Sequence, residues 1–359
     1  VEKLRVLIAD DSVVYRSQIR AALGRFDNVE VVGVASNGRI ACDMLSQMKV
    51  DLLILDLEMP EMNGLETLLE MAKRDLFHTK VLLFSSFSKR GAEITLEALR
   101  LGASDFIAKP GPLSDASQTN LSPAEKIYEL LEPKIRNFRP TTATIPAPFN
   151  LTDSIPLTPT KKAGLETISP RLIVIGSSTG GPQLLESIFS GLHGPLSCPI
   201  LIVQHMPPLF TAALAERLQK VSGIPAREAR DFDKLENQIY VAPGDFHLVV
   251  TRSAGSVLIR TNQEPPENFV RPAVDPLFRS AAKVFGPACL GIVLTGMGSD
   301  GTLGAEAIRS VGGGVIIQNK ESCAVFGMPG AIFQAGHFDV IATPDEIITL
   351  LQNKTRKAA

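Results

Sequence analysis

Three residues suited to acyl transfer each stand where an apolar run gives out. Ser178 follows Leu172-Ile173-Val174-Ile175-Gly176-Ser177, His205 closes the run from Pro199, and Asp300 lies just beyond Leu290–Thr295. A histidine can lift the proton from a serine hydroxyl, while a carboxylate fixes the imidazole tautomer and stabilises the imidazolium. Backbone N–H groups in the glycine-rich turn Gly296–Gly301 would supply an oxyanion hole. The residue pattern leaves choices open. Ser177 competes with Ser178 as nucleophile, and His247 is a rival base. Asp300, before Gly301-Thr302, would serve equally as a helix N-cap. The turn Gly176–Gly181 has neither the dinucleotide-binding spacing nor the Lys-Ser/Thr of a phosphate-binding loop.

A second constellation occupies the amino-terminal half. Asp10 and Asp11 end the first apolar run, Asp56 the third, Ser85 the fourth and Lys109 the fifth. Three carboxylates at one edge repel one another, and a divalent cation is the natural compensation. A lysine and a hydroxyl beside them suit a transient phosphoryl group on one carboxylate.

Strands and helices must alternate to bring these groups together. In the first half, strands are predicted at Leu4–Ala9, Val29–Ala35, Asp51–Asp56, Lys80–Ser85 and Ser104–Ala108, and helices at Tyr15–Leu23, Arg39–Met48, Gly64–Arg74 and Ala92–Leu101. A helix over Pro123–Asn137 closes this half. After residue 170, strands are predicted at Leu172–Gly176, Pro199–His205, Ile239–Ala242, Leu290–Thr295 and Gly314–Gln318, with a β-hairpin over Phe246–Arg252 and Gly255–Arg260. Helices are expected at Gln183–Phe189, Phe210–Val221, Val274–Phe285, Thr302–Val311 and Pro344–Gln352. The fold class is α/β: two doubly wound parallel-sheet domains whose working edges are the carboxyl ends of the strands. The expected divisions are 1–125, a helix and Pro/Thr-rich linker over 126–169, and 170–359. Prolines 140, 146, 148, 156 and 159 rule out a regular helix in that linker. Its apolar Ile145, Phe149, Leu151, Ile155 and Leu157 suggest partial packing.

Composition narrows the class of partner. With 36 basic against 38 acidic residues, the net charge of −2 gives no electrostatic reason to bind nucleic acid or anionic membrane. No apolar run approaches the ~20 residues of a membrane span, and the amino terminus shows no secretory signal; a cytoplasmic protein is expected. Cys42, Cys198, Cys289 and Cys323 lack close spacing and read as buried free thiols.

Residues 1 to about 125 resemble the receiver domain of two-component response regulators, with a flavodoxin-like fold. The motif residues are Asp10-Asp11, Asp56 with Met59-Pro60 and Gly64, Ser85, and Lys109-Pro110. The resemblance implies that Asp56 accepts a phosphoryl group from a histidine kinase. It also implies that Asp10, Asp11, Asp56 and the backbone carbonyl of Glu58 serve an Mg²⁺ ion. Ser85 and Lys109 would grip the phosphoryl oxygens, and Phe106 would hold the aromatic switch position. Residues 170–353 resemble the catalytic domain of the chemotaxis protein-glutamate methylesterases. The matching runs are Ile175–Gly181, Gln204–Pro208, Ala242–Asp245, Leu294–Gly301 and Phe326–Gly330. This resemblance selects Ser178, His205 and Asp300 as the triad and the Met297 backbone N–H as an oxyanion donor. Ser299 stands where that family commonly has Asn. The implied activity is hydrolysis of glutamate γ-methyl esters, and deamidation of glutamines, on methyl-accepting chemoreceptors. It needs no cofactor for the ester step. The competing readings are a response regulator with a partner-binding output domain and a general serine esterase or peptidase.

Overall fold

The computed structural model describes residues 2–110, 121–136, 138 and 169–355. They form two compact units, one on each side of the segment 139–168. The expected packing of Ile145, Phe149, Leu151, Ile155 and Leu157 lies outside the described residues.

In the first unit, strands Leu4–Ala9 (β1), Val29–Ala35 (β2), Leu52–Asp56 (β3), Lys80–Ser85 (β4) and Asp105–Ala108 (β5) make a parallel sheet in the order β2-β1-β3-β4-β5. Helices Val13–Leu23 (α1) and Pro123–Ile135 (α5) cover one face, where Val6, Ile8 and Ile54 pack on Ile19, Leu23, Ile127 and Leu131. Helices Gly38–Gln47 (α2), Gly64–Lys73 (α3) and Lys89–Arg100 (α4) connect β2 to β3, β3 to β4 and β4 to β5. Side-chain caps start each of the five helices: Ser12, Asn37, Asn63, Ser88 and Ser122 each accept a first-turn backbone N–H. Every such cap satisfies a donor that the helix itself cannot.

The second unit holds a seven-stranded parallel sheet, ordered β14-β13-β12-β6-β7-β9-β8. Its strands are Leu172–Ser177 (β6), Ile200–Gln204 (β7), Ala226–Glu228 (β8), Ile239–Val241 (β9), Cys289–Val293 (β12), Gly314–Gln318 (β13) and Val340–Ala342 (β14). The antiparallel hairpin is His247–Ser253 (β10) and Ser256–Asn262 (β11). Its two-residue turn, Ala254-Gly255, has both φ angles positive (44° and 82°), as a type I′ hairpin requires. The helices are Gly181–Ser190 (α6), Phe210–Ser222 (α7), Val274–Phe285 (α8), Thr302–Ser310 (α9), Met328–Ala335 (α10) and Pro344–Thr355 (α11). Strand β6 is the pivot. The chain leaves it towards β7 on one side and later returns to β12 on the other, so the crevice at its carboxyl end is a topological switch point.

The sequence reading omitted β8, β14 and α10. Two are three-residue strands, and α10 begins Met-Pro-Gly, where Pro329 fits the first helical turn but reads as a breaker. Among the described residues, no helix is long and apolar enough to cross a membrane.

All four cysteines are free; Cys42, Cys198 and Cys289 are buried and Cys323 is half-buried. Burial pushes the Cys42 and Cys198 thiols up to about 11, and those of Cys289 and Cys323 up to about 12. At pH 8 their thiolate fraction is about a hundredth, or less, of that of an ordinary cysteine. A thiol reagent should therefore titrate the four groups only after unfolding. Fast reaction of any of them in the native protein at pH 8 would contradict this packing.

Candidate functional site

Strand register sets the geometry of the candidate site. Ser177 of β6 pairs with Gln204 of β7, so the next residues on the two strands, Ser178 and His205, emerge side by side; His205 N donates to Ser177 O at 3.1 Å. On the other flank Ser178 N donates to Thr295 O at 3.0 Å, which sets Ser178 beside the start of the loop carrying Asp300. The His205 ring closes on Asp300, with Nε2 to Oδ2 at 2.8 Å. That leaves Nδ1 as the basic nitrogen. No hydrogen bond joins Ser178 Oγ to the ring, so two of the three residues are paired directly and the third stands at the adjoining strand end. Uncomplexed sites often show this looseness before substrate tightens them.

Hydrogen bonding distinguishes the competing candidates. Ser177 is fully buried and its hydroxyl donates to Gln204 Oε1 at 2.7 Å, while Gln204 Nε2 holds Ser178 O at 2.8 Å. Ser177 therefore secures the turn, whereas Ser178 is 8% exposed. His247 is also structural: Nδ1 accepts from Ala273 N and Nε2 donates to Pro265 O. Asp300 does not cap its own helix, where Gly301 holds the N-cap position. It receives instead the N–H groups of Val274 (2.6 Å) and Asp275 (3.1 Å), the first turn of α8, together with Gly301 N. A helix N-terminus favours an anion. Burial alone would raise the Asp300 carboxyl, but the His205 contact and these backbone donors outweigh it and hold it below the usual range.

The polar turn is fixed from behind. Thr295 N donates to Gln318 Oε1, and Thr295 Oγ1 contacts the carbonyls of Thr179 and Val325. Gly180, at φ +78°, turns the chain from β6 into α6 without a side-chain cap. Met297 N–H, half-buried beyond Gly296, donates to no group among the described residues. A Cβ on Gly296 would stand 2.4 Å from Met328 Sδ and 2.8 Å from Ser178 Cβ. Gly296→Ala is expected to cost about 1–3 kcal/mol through overpacking and to reduce catalytic activity at least about tenfold, since it presses on Ser178. Unchanged thermal unfolding and activity in that variant would contradict the described contact.

In the first unit, Asp10, Asp11 and Asp56 can bring one oxygen each within 4.8 Å of one another. Asp10 and Asp56 are buried, at 1% and 2% exposed, while Asp11 is open to solvent. Lys109 Nζ lies 2.8 Å from Asp56 Oδ2 and 3.1 Å from Asp10 Oδ2, although the latter oxygen accepts no well-aligned hydrogen bond. Burial pushes the Asp56 carboxyl up to about 6, against the pull of Lys109. Burial likewise opposes charge on Lys109, but the two carboxylates outweigh it and hold its ammonium above the ordinary range. A hard divalent cation suits an all-oxygen set with one buried, under-satisfied carboxylate oxygen, so these residues fit an Mg²⁺ ion. Glu58 N donates to Asp56 Oδ1 at 3.3 Å, keeping the Glu58 peptide at this edge. The Ser85 hydroxyl is engaged elsewhere, 2.7 Å from Thr95 Oγ1 of α4 and 3.3 Å from Gly91 O. Phe106 is buried on β5.

Asn268 and Asp275 escaped the sequence reading. Asn268 Nδ2 lies 3.0 Å from Asp300 Oδ1 and 3.0 Å from Asp275 Oδ2. Asp275 offered one signal, an acid in the first turn of a predicted helix; Asn268, in an irregular loop, offered none.

Comparisons with known proteins match two separate stretches of the chain. Residues 6–118 match the response regulator receiver domain family, and residues 173–351 match the family described as CheB methylesterase. A protein-glutamate methylesterase/protein-glutamine glutaminase of Trichodesmium erythraeum is 42% identical, covering 94% of this chain and 95% of its own. A protein of the same name from Thermotoga maritima is 37% identical over 97% of this chain and 98% of its own. The crystal structure of the Thermotoga maritima CheB methylesterase catalytic domain aligns with 51% of this chain and 100% of its own, at 41% identity and a TM-score of 0.49.

Proposed function

Since the chain belongs to the CheB methylesterase family and carries a response regulator receiver domain ahead of the methylesterase domain, we propose that it is a phosphorylation-activated protein-glutamate methylesterase and protein-glutamine glutaminase. Its substrates are the methylated glutamates and particular glutamines of methyl-accepting chemoreceptors, and it acts in the cytoplasm. The observation that carries the hydrolytic reading is the His205–Asp300 pair, 2.8 Å apart beside the Ser178 strand end.

Ser178 Oγ attacks the γ-ester carbonyl as His205 Nδ1 takes the hydroxyl proton, and Asp300 stabilises the imidazolium that forms. The Met297 N–H receives the oxyanion. The carbon–methoxyl bond then breaks, and His205 returns the proton to give methanol. Water, deprotonated by His205, attacks the acyl-Ser178 carbonyl, the carbon–Oγ bond breaks as His205 returns the proton to Ser178, and the glutamate is freed. A glutamine amide follows the same course and releases ammonia.

A histidine kinase donates the phosphoryl group to Asp56. Asp10, Asp11, Asp56 and the Glu58 carbonyl would hold Mg²⁺, whose charge offsets that of the incoming phosphoryl oxygens. Lys109 is already at the acceptor, and Ser85 must exchange Thr95 for the phosphoryl group. Phosphorylation raises activity by stabilising one arrangement of the chain over another, which only a differential free energy can do.

Methanol release from methylated receptor membranes, set against hydrolysis of aryl esters and casein, tests the substrate assignment. Release from receptor in preference to the other two is the expected result. Faster hydrolysis of aryl ester or casein would favour a general esterase or peptidase, and activity on none would favour a partner-binding output domain.

A further inference from the structure

Two carboxylates sit back to back behind His205. Asp300, from the loop after β12, receives the first-turn N–H groups of α8, and Asp275, on α8, accepts Gly304 N of α9 at 2.7 Å through Oδ1. Each acid thus caps the helix that belongs to the other. Both are buried, and two negative charges in one dry site destabilise each other. The Asn268 side chain lies between them, its Nδ2 3.0 Å from Asp300 Oδ1 and 3.0 Å from Asp275 Oδ2. An amide NH₂ carries two donors, one for each carboxylate.

The loop is built to keep that amide in place. Asn268 and Phe269 have φ of 53° and 65°, a strained conformation that persists where its surroundings over-determine it. Glu267 is ion-paired to Arg279 of α8, Arg271 to Asp245, and His247 ties Pro265 O and Ala273 N at the two ends of the loop. We propose that Asn268 is a positioning residue for the hydrolytic reaction. It bridges Asp275 and Asp300 so that Asp300 stays ionised and aimed at His205 despite the second buried acid. The inference rests on reading Ser178, His205 and Asp300 as the triad.

The side chains facing the pair are the titratable His205 from the end of β7 and the charged Arg279 on α8, the latter ion-paired to Glu267. Burial and the charge of Asp300 push the Asp275 carboxyl up to about 6. Without the amide, repulsion between the carboxylates is unrelieved and the pair takes up a proton at higher pH. A proton on Asp300 removes the charge that the His205 imidazolium needs, so activity fails on the acid side.

The test is the rate of Ser178 modification by a fluorophosphonate probe across pH 5–9 (about two units either side of neutrality). The full chain is used, with phosphoramidate and Mg²⁺ present throughout. Asn268→Ala is expected to lower the maximal inactivation rate about tenfold and move the acid limb to higher pH, with the probe's binding constant unchanged. Asp275→Asn placed in the Asn268→Ala background is expected to return the acid limb to its wild-type position, because one of the two charges is gone. A merely structural loss would not be rescued this way, so an acid limb that stays displaced in the double variant overturns the proposal. An Asn268→Ala profile equal to wild type overturns the clamp and leaves the triad standing. Wild-type protein that the probe does not modify at Ser178 overturns both.

Discussion

Ser178→Ala lowers kcat for methanol release by about 10⁵–10⁶-fold, the loss expected when a nucleophile acting as one unit with its base is removed. The Ser178 hydroxyl makes no hydrogen bond to the His205 ring, and its backbone contacts, Ser178 N to Thr295 O and Gln204 Nε2 to Ser178 O, survive the change. The unfolding midpoint should therefore shift by no more than about 1–2 °C. Ser177→Ala behaves in the opposite way. It strips Gln204 Oε1 of its buried donor, costing about 1–3 kcal/mol, while leaving a nucleophile in place. A kinetic loss confined to Ser178 and a stability loss confined to Ser177 would separate two adjacent serines by role. Wild-type rates in Ser178→Ala would remove the nucleophile assignment.

Asp300→Asn comes next, at about 10⁴-fold in kcat. The aspartate accepts from His205 Nε2 at 2.8 Å and so leaves Nδ1 free as the base. An asparagine that turns its NH₂ to the ring demands an acceptor at Nε2. The proton then moves to Nδ1, and the base is lost. The substitution also costs stability, with a pH signature of known sign. The folded-state carboxyl is held below its ordinary value of 3.8, so its contribution is fully present above that value and disappears as pH falls through the folded-state value. The wild-type advantage in thermal stability over Asp300→Asn should therefore be largest near neutrality and shrink below about pH 4. An advantage that grew on acidification would contradict the described hydrogen bonds.

What the sequence displayed and what it concealed follow from how far apart the interacting residues lie. Apolar runs such as Leu172–Ile175 and Leu52–Leu55 are fully buried strands of parallel sheets, and a polar residue placed directly after one is bound to appear at the sheet edge. Ser178, His205, Asp56 and Lys109 were legible for that reason. Asn268 was not. Its contacts join it to residues 7 and 32 positions later, and nothing in the local spacing marks it. The roles of Ser177 and His247 were equally hidden, since each depends on a partner supplied by another strand or loop: Gln204 for one, Pro265 and Ala273 for the other. Short strands such as β8 and β14 are defined by the neighbours that pair with them, β9 and β13; three residues alone carry no usable period.

Receiver and esterase belong to one regulated enzyme, and that claim is met most directly by following methanol release from methylated receptor membranes before and after adding a small phosphodonor with Mg²⁺. The wild-type chain and Asp56→Asn are run side by side. Release should rise with the donor in the wild type, whereas Asp56→Asn should keep its basal rate and lose the response. A rise of equal size in Asp56→Asn, or none in the wild type, would contradict control through Asp56.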